Sequence, residues 1–152
     1  MQDKEQLVEL IHRFDDYYIE NNVFSEKLNQ FIDYKDKNSL FAATVEEYLN
    51  DQKYLLFVAE ENDQLIGYIC GDAKEKPNRI LDKEGFIEDW FVLAPYRGKG
   101  VGKQLYEVLL EEFRKLGCNR LGLKAYAPNT KTIEMYHRMG FVDTDITMAK
   151  KL

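Results

Sequence analysis

Cysteine and histidine are scarce in this chain of 152 residues, which holds two of each. Cys70 and Cys118 stand in separate segments without a CxxC neighbour, and His12 and His137 lack the HxxxH or HExxH spacing of metal ligands. We therefore predict no metal site, and we expect both cysteines in or near the core as reduced thiols.

Long apolar runs and an excess of positive charge are also missing. No apolar stretch approaches the length that crosses a bilayer, and the polar start M-Q-D-K-E does not lead into a secretory signal, so we predict a cytoplasmic protein with no membrane partner. A net charge of −6 and a pI near 5.0 argue against a nucleic-acid partner, because such proteins carry a basic patch. The acidity fits a well-solvated surface or a field that attracts a cationic substrate.

Internal repeats, low-complexity tracts and Gly/Ser-rich linkers do not occur either. With 45% hydrophobic residues, a chain of this length is apolar enough to bury a sizeable core. We predict one domain over residues 1–152.

The first third of the chain has the periodicity of helices. Apolar residues at helical spacing predict one helix over residues 3–20 and a second over residues 25–34, whose Leu28, Phe31 and Ile32 would face inward. Both helices precede any strand signal.

A loop, a short helix and a hairpin are predicted next. We interpret residues 35–43 as a loop and T-V-E-E at residues 44–47 as a capping box whose helix ends near Asn50. Two stretches rich in β-formers, residues 53–60 and 64–73, flank an E-N-D turn and predict a hairpin.

The second half alternates between strand and helix signals. Residues 85–93 and 119–126 read as strands that flank an amphipathic helix over residues 101–116. Such a βαβ unit predicts that the two strands are parallel. A short helix over residues 130–139 and a last strand over residues 141–151 complete the predicted order.

The most informative stretch covers residues 88–106 and reads E-D-W-F-V-L-A-P-Y-R-G-K-G-V-G-K-Q-L-Y. An apolar strand ends at Pro95, a loop with glycines at three alternate positions follows, and a helix begins inside that loop. Backbone N–H groups at a helix start have no intrahelical partner and share the positive end of the helix dipole. Since Arg97, Lys99 and Lys103 add positive charge, the stretch predicts a site for a phosphate or pyrophosphate.

Three phosphate-binding patterns compete for this loop. A P-loop, G-x-x-x-x-G-K-[ST], fails because Arg97 stands at its first glycine and Gln104 at its Mg²⁺-binding hydroxyl. A dinucleotide fingerprint, G-x-G-x-x-G, fits poorly because the third glycine comes one residue too soon and no acidic ribose ligand follows about 20 residues later. The pattern [QR]-x-x-G-x-[GA] is met by Arg97, Gly100 and Gly102.

A second block of residues narrows the choice. Asn129, Tyr136, Gly140 and Phe141 form N-x-x-x-x-x-x-Y-x-x-x-G-F downstream of the loop. With both blocks, the chain resembles the GNAT superfamily of acetyl-CoA-dependent N-acetyltransferases over residues 53–152. The run from E-D-W-F-V to Y-R-G is similar to the polyamine (diamine) N-acetyltransferase branch.

The resemblance implies an α+β (mixed αβα) fold. We expect a central mixed sheet that is mostly antiparallel, with one parallel βαβ pair splayed to admit CoA and helices on both faces. Family members usually begin with a strand, whereas this chain begins in a helix, so the usual first strand is absent or very short.

The resemblance also implies acetyl-CoA as the cosubstrate and a set of cofactor-binding positions. Backbone groups of the strand would pair with the pantetheine arm, backbone N–H groups of the loop would hold the pyrophosphate, and an asparagine would hydrogen-bond the cofactor near the next helix start. These positions are Trp90, Phe91, Val92, Arg97, Gly98, Lys99, Gly100, Val101, Gly102, Lys103 and Asn129.

Catalytic roles follow from the same resemblance. An amine with a pKa near 10 is protonated at neutral pH, so a base must take its proton before it attacks a thioester. We expect Glu88 as the base or its relay, with Asp89 as an amine-binding alternative that points to the opposite face if the strand is regular. Tyr136 is the candidate acid for the departing thiolate, and a core aromatic is the competing interpretation.

The acceptor is predicted only in outline. Acidic and aromatic residues of the first two helices suit a cationic amine, although a solvated helix face explains them equally well; they are Asp15, Asp16, Tyr17, Tyr18, Glu20 and Asp33. We expect N-acetylation of a primary amine such as a polyamine. The alternatives are a peptide or protein N-acetyltransferase and a non-catalytic CoA-binding module. Exposed strand edges are also compatible with a homodimer.

Overall fold

The computed structural model describes residues 2–152 and shows an α+β fold. Its helices are α1 (Gln2–Glu20), α2 (Glu26–Ile32), α3 (Lys37–Asn50), α4 (Val101–Lys115) and α5 (Thr130–Arg138). Its strands are β1 (Tyr54–Glu61), β2 (Gln64–Glu75), β3 (Lys83–Val92) and β4 (Arg120–Leu123). The chain divides into two compact units, described separately below: the first holds residues up to Asp16 and Asp36–Lys124, the second Tyr17–Lys35 and Ala125–Leu152. The single-domain organisation stays a prediction.

The first unit contains a four-stranded mixed sheet in the order β1-β2-β3-β4. The β1–β2 and β2–β3 pairs are antiparallel, and β3–β4 is the parallel pair expected from the βαβ pattern. The β1–β2 hairpin closes through Asn62 and Asp63, both with positive φ, which matches the right-handed twist of the flanking strands. The predicted mixed sheet, mostly antiparallel with one parallel pair, is therefore confirmed for these four strands.

One face of the sheet is covered by α4. Buried Leu105, Leu109 and Phe113 pack with Ile69 and Ile87 to form an apolar cluster. The sheet makes room for this helix with glycine: a Cβ on Gly85 would lie 2.4 Å from Cγ of Phe113, and one on Gly71 2.8 Å from its Cζ. The small residues let the aromatic ring lie directly on the strands.

The opposite face is covered by α1 and α3. Their buried apolar residues are Leu7, Leu10, Ile11, Phe41 and Val45. Phe14 of α1 stacks on Phe91 of β3 with ring centroids 5.3 Å apart, and Tyr48 of α3 reaches Asp89 of the same strand. Helices therefore cover both faces, as expected.

Helix α3 begins earlier than the sequence indicates. Asp36 caps it by accepting a hydrogen bond from the Ser39 backbone N–H, so part of the predicted 35–43 loop is helical. The expected capping box at residues 44–47 is wrong, because the Thr44 hydroxyl donates to the Leu40 carbonyl inside a continuing helix. The true cap was missed because a second plausible capping sequence lies eight residues downstream.

The second unit contains the last four residues of α1, α2, α5 and their neighbours. Tyr18, Phe24 and Tyr126 form an aromatic cluster with ring centroids 4.7 to 5.4 Å apart. Of the three residues predicted to face inward, Leu28 and Ile32 are half-buried and Phe31 is exposed, so the prediction is wrong for Phe31. The seven-residue helix is too short to present a broad apolar stripe.

The predicted last strand is also wrong. Residues 141–152 carry no assigned helix or strand, and after half-buried Phe141 their apolar side chains are open to solvent; Ile146 is 82% exposed. A strand needs a neighbour to pair with, and β-propensity alone does not supply one. Among the described residues, no helix combines the length and apolar character that crossing a membrane requires.

Candidate active site

The glycine loop positions backbone donors at the start of α4. Gly98 and Gly100 have φ of 73° and 88°, a conformation that glycine adopts without strain, and a Cβ on either would meet no atom within 4 Å. Gly100 is the N-cap and offers no side-chain cap, and the first helical hydrogen bond runs from Gln104 N–H to its carbonyl. The N–H groups of residues 101–103 therefore have no intrahelical acceptor and border an open surface, which suits an anion.

The third glycine serves packing. A Cβ on Gly102 would lie 3.6 Å from both Trp90 Nε1 and Val92 Cγ2, so the helix start lies close against β3. Trp90 also stacks on Tyr106 of α4, with centroids 5.3 Å apart. These contacts fix the loop relative to the strand that precedes it.

The three cations of the loop have different surroundings. Arg97 turns back and donates from Nε to the Val92 carbonyl at 2.8 Å, with its guanidinium 5.3 Å from the Phe91 ring. Lys99 lies 5.5 Å from the Tyr96 ring, and Lys103 lies 3.7 Å from Glu107 in an exposed pair. Arg97 braces the loop, whereas the two lysines keep their charge near the surface.

Beside this loop, strand β3 extends beyond its pairing with β4. Its parallel pairing with β4 runs only from Glu84↔Arg120 to Ile87↔Leu123, yet β3 continues to Val92. Within the described residues, positions 88–92 therefore have a strand neighbour only on the β2 side. The ladder ends where β4 ends, at Leu123, and the expected splay of the parallel pair stays a prediction.

A β-bulge redirects the two acidic residues of β3. Cys70 pairs with Asp89 and Gly71 with Ile87, so Glu88 is an extra residue without a partner. Because of this bulge β3 is not a regular strand, and the expectation that Glu88 and Asp89 point to opposite faces of the sheet is wrong. Both lie on the α3 face of the sheet, because Asp89 contacts Tyr48 and Glu88 contacts Lys74.

Asp89 is held by tyrosines. The Tyr48 hydroxyl donates to its Oδ2 at 2.8 Å. The Tyr68 hydroxyl is fully buried and makes no hydrogen bond of good geometry. Burial and the nearby negative charge of Asp89 raise its pKa, so the phenol stays protonated. Burial raises the pKa of Asp89, the two hydroxyls oppose that rise, and the neighbouring Glu88 adds to it.

Glu88 is more open and is paired with a lysine. Lys74 Nζ donates to Glu88 Oε1 at 2.5 Å, lies 3.2 Å from Asp72 Oδ1 and sits 4.1 Å from the Phe86 ring centroid. The four side chains share one face of the β2–β3 pair, since Asp72 lies opposite Phe86 and the others are two residues along each strand. The pKa of Lys74 is raised by the two carboxylates against the opposing effect of its partial burial.

The second unit carries Asn129 and Tyr136. Asn129 is buried at the N-cap of α5 without capping it by its side chain, so its amide is not committed to the helix end. Tyr136 lies on α5 with its ring 5.7 Å from Phe141, and burial raises its pKa to about 12. A phenol with that pKa stays protonated at neutral pH and can donate a proton.

Three residues of this polar face were missed by sequence reasoning. Tyr48, Asp72 and Lys74 have no motif, and they meet Glu88 and Asp89 only through strand pairing and helix packing. The alternation D-A-K in β2 was a usable signal, because residues 72 and 74 must share a face once the hairpin is accepted.

The other predicted groups are placed as follows. Asp15 of the acidic N-terminal set is paired with Lys37 at 2.8 Å in the first unit. Cys70 is buried, Cys118 is partly buried and both are free thiols. Among the described residues, no three His, Cys, Asp or Glu side chains come together in a way that would hold a metal ion.

Comparison with known proteins agrees with the geometry. The sequence model of the Acetyltransferase (GNAT) family matches residues 13–141. The chain is 40% identical over 70 residues to the uncharacterized N-acetyltransferase YycN of Bacillus subtilis, covering 46% of this chain and 45% of the relative. It is 28% identical over 98 residues to N-alpha-acetyltransferase 30 of Saccharomyces cerevisiae, covering 62% and 56%. The chain thus spans about half the length of these curated relatives.

A solved structure shares the fold. Aminoglycoside N-acetyltransferase AAC(6')-Iy, in complex with CoA, superposes with a TM-score of 0.65 at 21% identity, over 82% of each chain. At this identity the likeness concerns the fold alone.

Proposed function

We propose that this chain, which belongs to the GNAT family of acetyltransferases, transfers the acetyl group of acetyl-CoA directly to the primary amine of a small cation such as a polyamine. The observation that carries the proposal is the continuity of two features: the edge of β3 at residues 88–92, which extends beyond the ladder with β4, leads into a loop whose helix start has backbone N–H groups without intrahelical acceptors. An extended arm that ends in a pyrophosphate matches that combination of a strand edge and a helix start.

The residues fit acetyl-CoA as cosubstrate. Backbone groups of residues 90–92 would pair with the pantetheine arm, and N–H groups of residues 98–103 would hold the pyrophosphate. The freedom of Gly98 and Gly100 supports this role, since a side chain there would fill the surface on which the phosphates lie. The buried amide of Asn129 is the proposed further cofactor ligand.

Acetyl-CoA supplies an activated thioester, and the chain supplies proton transfer. Glu88 would accept the proton that the attacking amine must lose as its nitrogen bonds to the acetyl carbon. Tyr136, kept protonated by its raised pKa, would donate a proton to the sulfur as the C–S bond breaks. Direct transfer to the amine needs no covalent enzyme intermediate. Cys70 is also a poor nucleophile, because its pKa is raised by burial and by the nearby Asp89 and Glu88.

The acceptor is proposed to be cationic because the face around Glu88 is acidic. Asp72, Glu88 and Asp89 lie together there against the single charge of Lys74. A protein N-terminus is the second candidate, favoured by the similarity to N-alpha-acetyltransferase 30.

Thiol release tests the proposal. The protein is mixed with acetyl-CoA and, in parallel, with polyamines, diamines and short peptides that have free N-termini. We expect release of CoA thiol with the small amines and little with the peptides. Release with peptides alone would favour the second candidate. CoA binding without thiol release from any amine would instead indicate a non-catalytic CoA-binding module.

Assembly and location are proposed as well. Strands β1 and β4 are the edges of the described sheet, and such edges pair readily with another chain, so we propose a homodimer. We also propose that the protein is cytoplasmic, as predicted from its sequence. Light scattering at several protein concentrations measures the mass, and a monomer throughout would contradict the dimer.

A further inference from the structure

The Lys74 ammonium is held in a cage formed by other residues of β2 and β3. Glu88 and Asp72 flank Nζ at 2.5 and 3.2 Å, and the face of the Phe86 ring lies 4.1 Å away. Two carboxylates and an aromatic face are the groups that recognise a primary ammonium ion of any origin. Lys74 therefore shows which ligand chemistry this place accepts.

The cage is not satisfied by Lys74. Asp72 is only 8% exposed, and its buried Oδ1 has no hydrogen-bond partner, because the contact with Nζ is close enough for charge attraction but lacks hydrogen-bond geometry. Two carboxylates face one ammonium, and Asp89 adds to the negative charge beside Glu88. A buried acceptor without a donor is costly, so a better placed ammonium would be bound more favourably.

Lys74 can leave the cage without unfolding the strand. Its side chain is 36% exposed, and a lysine has a flexible four-carbon stem with a strongly hydrated head. The carboxylates cannot follow, since Asp72 and Glu88 are attached to adjacent paired strands. Departure of Lys74 would leave two close carboxylates uncompensated, so another cation must replace it.

A second lysine cage in the chain differs in the features that matter. Lys53 Nζ lies 3.1 Å from both Glu47 and Asp51 and 4.5 Å from the Tyr54 ring. Those carboxylates are close in sequence, and their side chains are 51% and 43% exposed, against 30% for the side chain of Glu88 and 11% for the side chain of Asp72. The Lys53 cage is a solvated surface pair, whereas the Lys74 cage is preformed by the sheet.

We propose that Lys74 occupies, in the free protein, the subsite for the acceptor's ammonium group, and that the primary ammonium of a small aliphatic amine displaces it from Asp72, Glu88 and Phe86. This inference rests on the proposed function and names the residues that select the acceptor. It places the amine against Glu88, the proposed base. Since acetylation converts the ammonium into a neutral amide, the product loses its attraction to the cage and Lys74 returns.

The test is an NMR titration without acetyl-CoA, so that it does not depend on turnover. The protein carries ¹³Cε-labelled lysine, Lys74→Met identifies the Lys74 signal, and n-butylamine is added at low ionic strength. We expect the Lys74 signal to move to the position of a solvent-exposed lysine while the Lys53 signal stays. N-butylacetamide, the neutral acetylated counterpart, should leave both signals unchanged.

Variants measure the competition. We expect Lys74→Met to lower the Kd for n-butylamine roughly tenfold, because the amine no longer displaces an internal cation. Lys53→Met removes the same charge from the solvated cage and should change the Kd by less than about twofold. Asp72→Asn combined with Lys74→Met should lose the gain, and thermal unfolding checks that each variant is folded.

Several outcomes would overturn the inference: an unmoved Lys74 signal at saturating amine, equal Kd values for the wild type and Lys74→Met, or absence of amine binding. Failure of the proposed function gives a different result. If the amine displaces Lys74 but no amine releases thiol from acetyl-CoA, the subsite stands and the transferase does not. If thiol is released while Lys74 stays in place, only the subsite is lost.

Discussion

The two faces of the sheet around β3 differ in chemistry although the same strands build them. Towards α4, the strands present Ile69, Ile87 and glycines that accommodate the Phe113 ring. Towards α3, they present Asp72, Glu88 and Asp89. One face is an apolar contact, and the other gathers charged groups whose pairing is incomplete.

The difference teaches where stability and chemistry are located. Apolar burial is favourable without geometric precision, so the α4 face can hold the fold together. Burying a carboxylate is unfavourable unless donors surround it, so the carboxylates of the α3 face lower the free energy of unfolding. A carboxyl whose pKa is raised by burial and by a neighbouring carboxylate, as for Asp89, is typical of functional sites. Substitutions on the two faces should therefore separate stability from activity.

The largest effect is expected on the apolar face. Phe113→Ala should lower the free energy of unfolding by about 3–5 kcal/mol, because the glycines beneath the ring cannot fill the cavity. Chemical denaturation measures the loss. The control is Val108→Ala on the exposed side of α4, which should cost less than about 0.5 kcal/mol. Equal losses would contradict the assignment of the core.

Glu88→Gln should give the next largest effect, and it should act on activity. We expect kcat to fall at least about 100-fold, because the isosteric amide cannot accept the amine proton. CoA binding and unfolding free energy should stay near the wild-type values. Glu60→Gln on β1 is the matched control, with kcat unchanged. Wild-type turnover by Glu88→Gln would exclude this carboxylate as the base.

Tyr48→Phe sharpens the comparison within the polar face. Loss of the hydroxyl that donates to Asp89 should destabilise the protein by about 1.5–3 kcal/mol, because a part-buried hydrogen bond to a carboxylate is removed. Tyr54→Phe removes an equivalent bond to exposed Glu47 and should cost under about 1 kcal/mol. Both losses of unfolding free energy are measured from denaturant midpoints. Similar losses for the two variants would contradict the prediction that the Tyr48–Asp89 hydrogen bond is stronger than the exposed Tyr54–Glu47 bond.

The smallest effect is expected from Asp89→Asn, and it depends on pH. The folded-state pKa of Asp89 is raised above 3.8, mainly by burial, so the wild type is most stable when this carboxyl is protonated and loses stability as pH rises through that folded-state pKa. Asparagine cannot ionise. The stability of Asp89→Asn relative to wild type should therefore increase with pH and level off once Asp89 is ionised. Unfolding measured from pH 3 to 8 gives this difference, and a pH-independent difference would refute it.

Local patterns predicted most of the first unit. The hairpin, the parallel βαβ pair and α4 follow from period-2 and period-3.6 apolar spacing and from turn residues, all of which act over short distances. The predicted elements differ from the observed ones by a few residues at their ends. The failures were at α3, where two caps compete, at Phe31 of α2, which is exposed, and at residues 141–151, where strand propensity has no partner to pair with.

By itself, the sequence determined the glycine loop at the start of α4 and the family to which the chain belongs. Glycine spacing and a helix start are local features that predict an anion site, so Arg97 to Lys103 could be interpreted without a structure. Only the tertiary structure decided which way Glu88 and Asp89 point, and that Asp72, Lys74 and Tyr48 surround them. A bulge adds one residue to one strand and reverses every side chain beyond it, and such a register shift is set by pairing between strands.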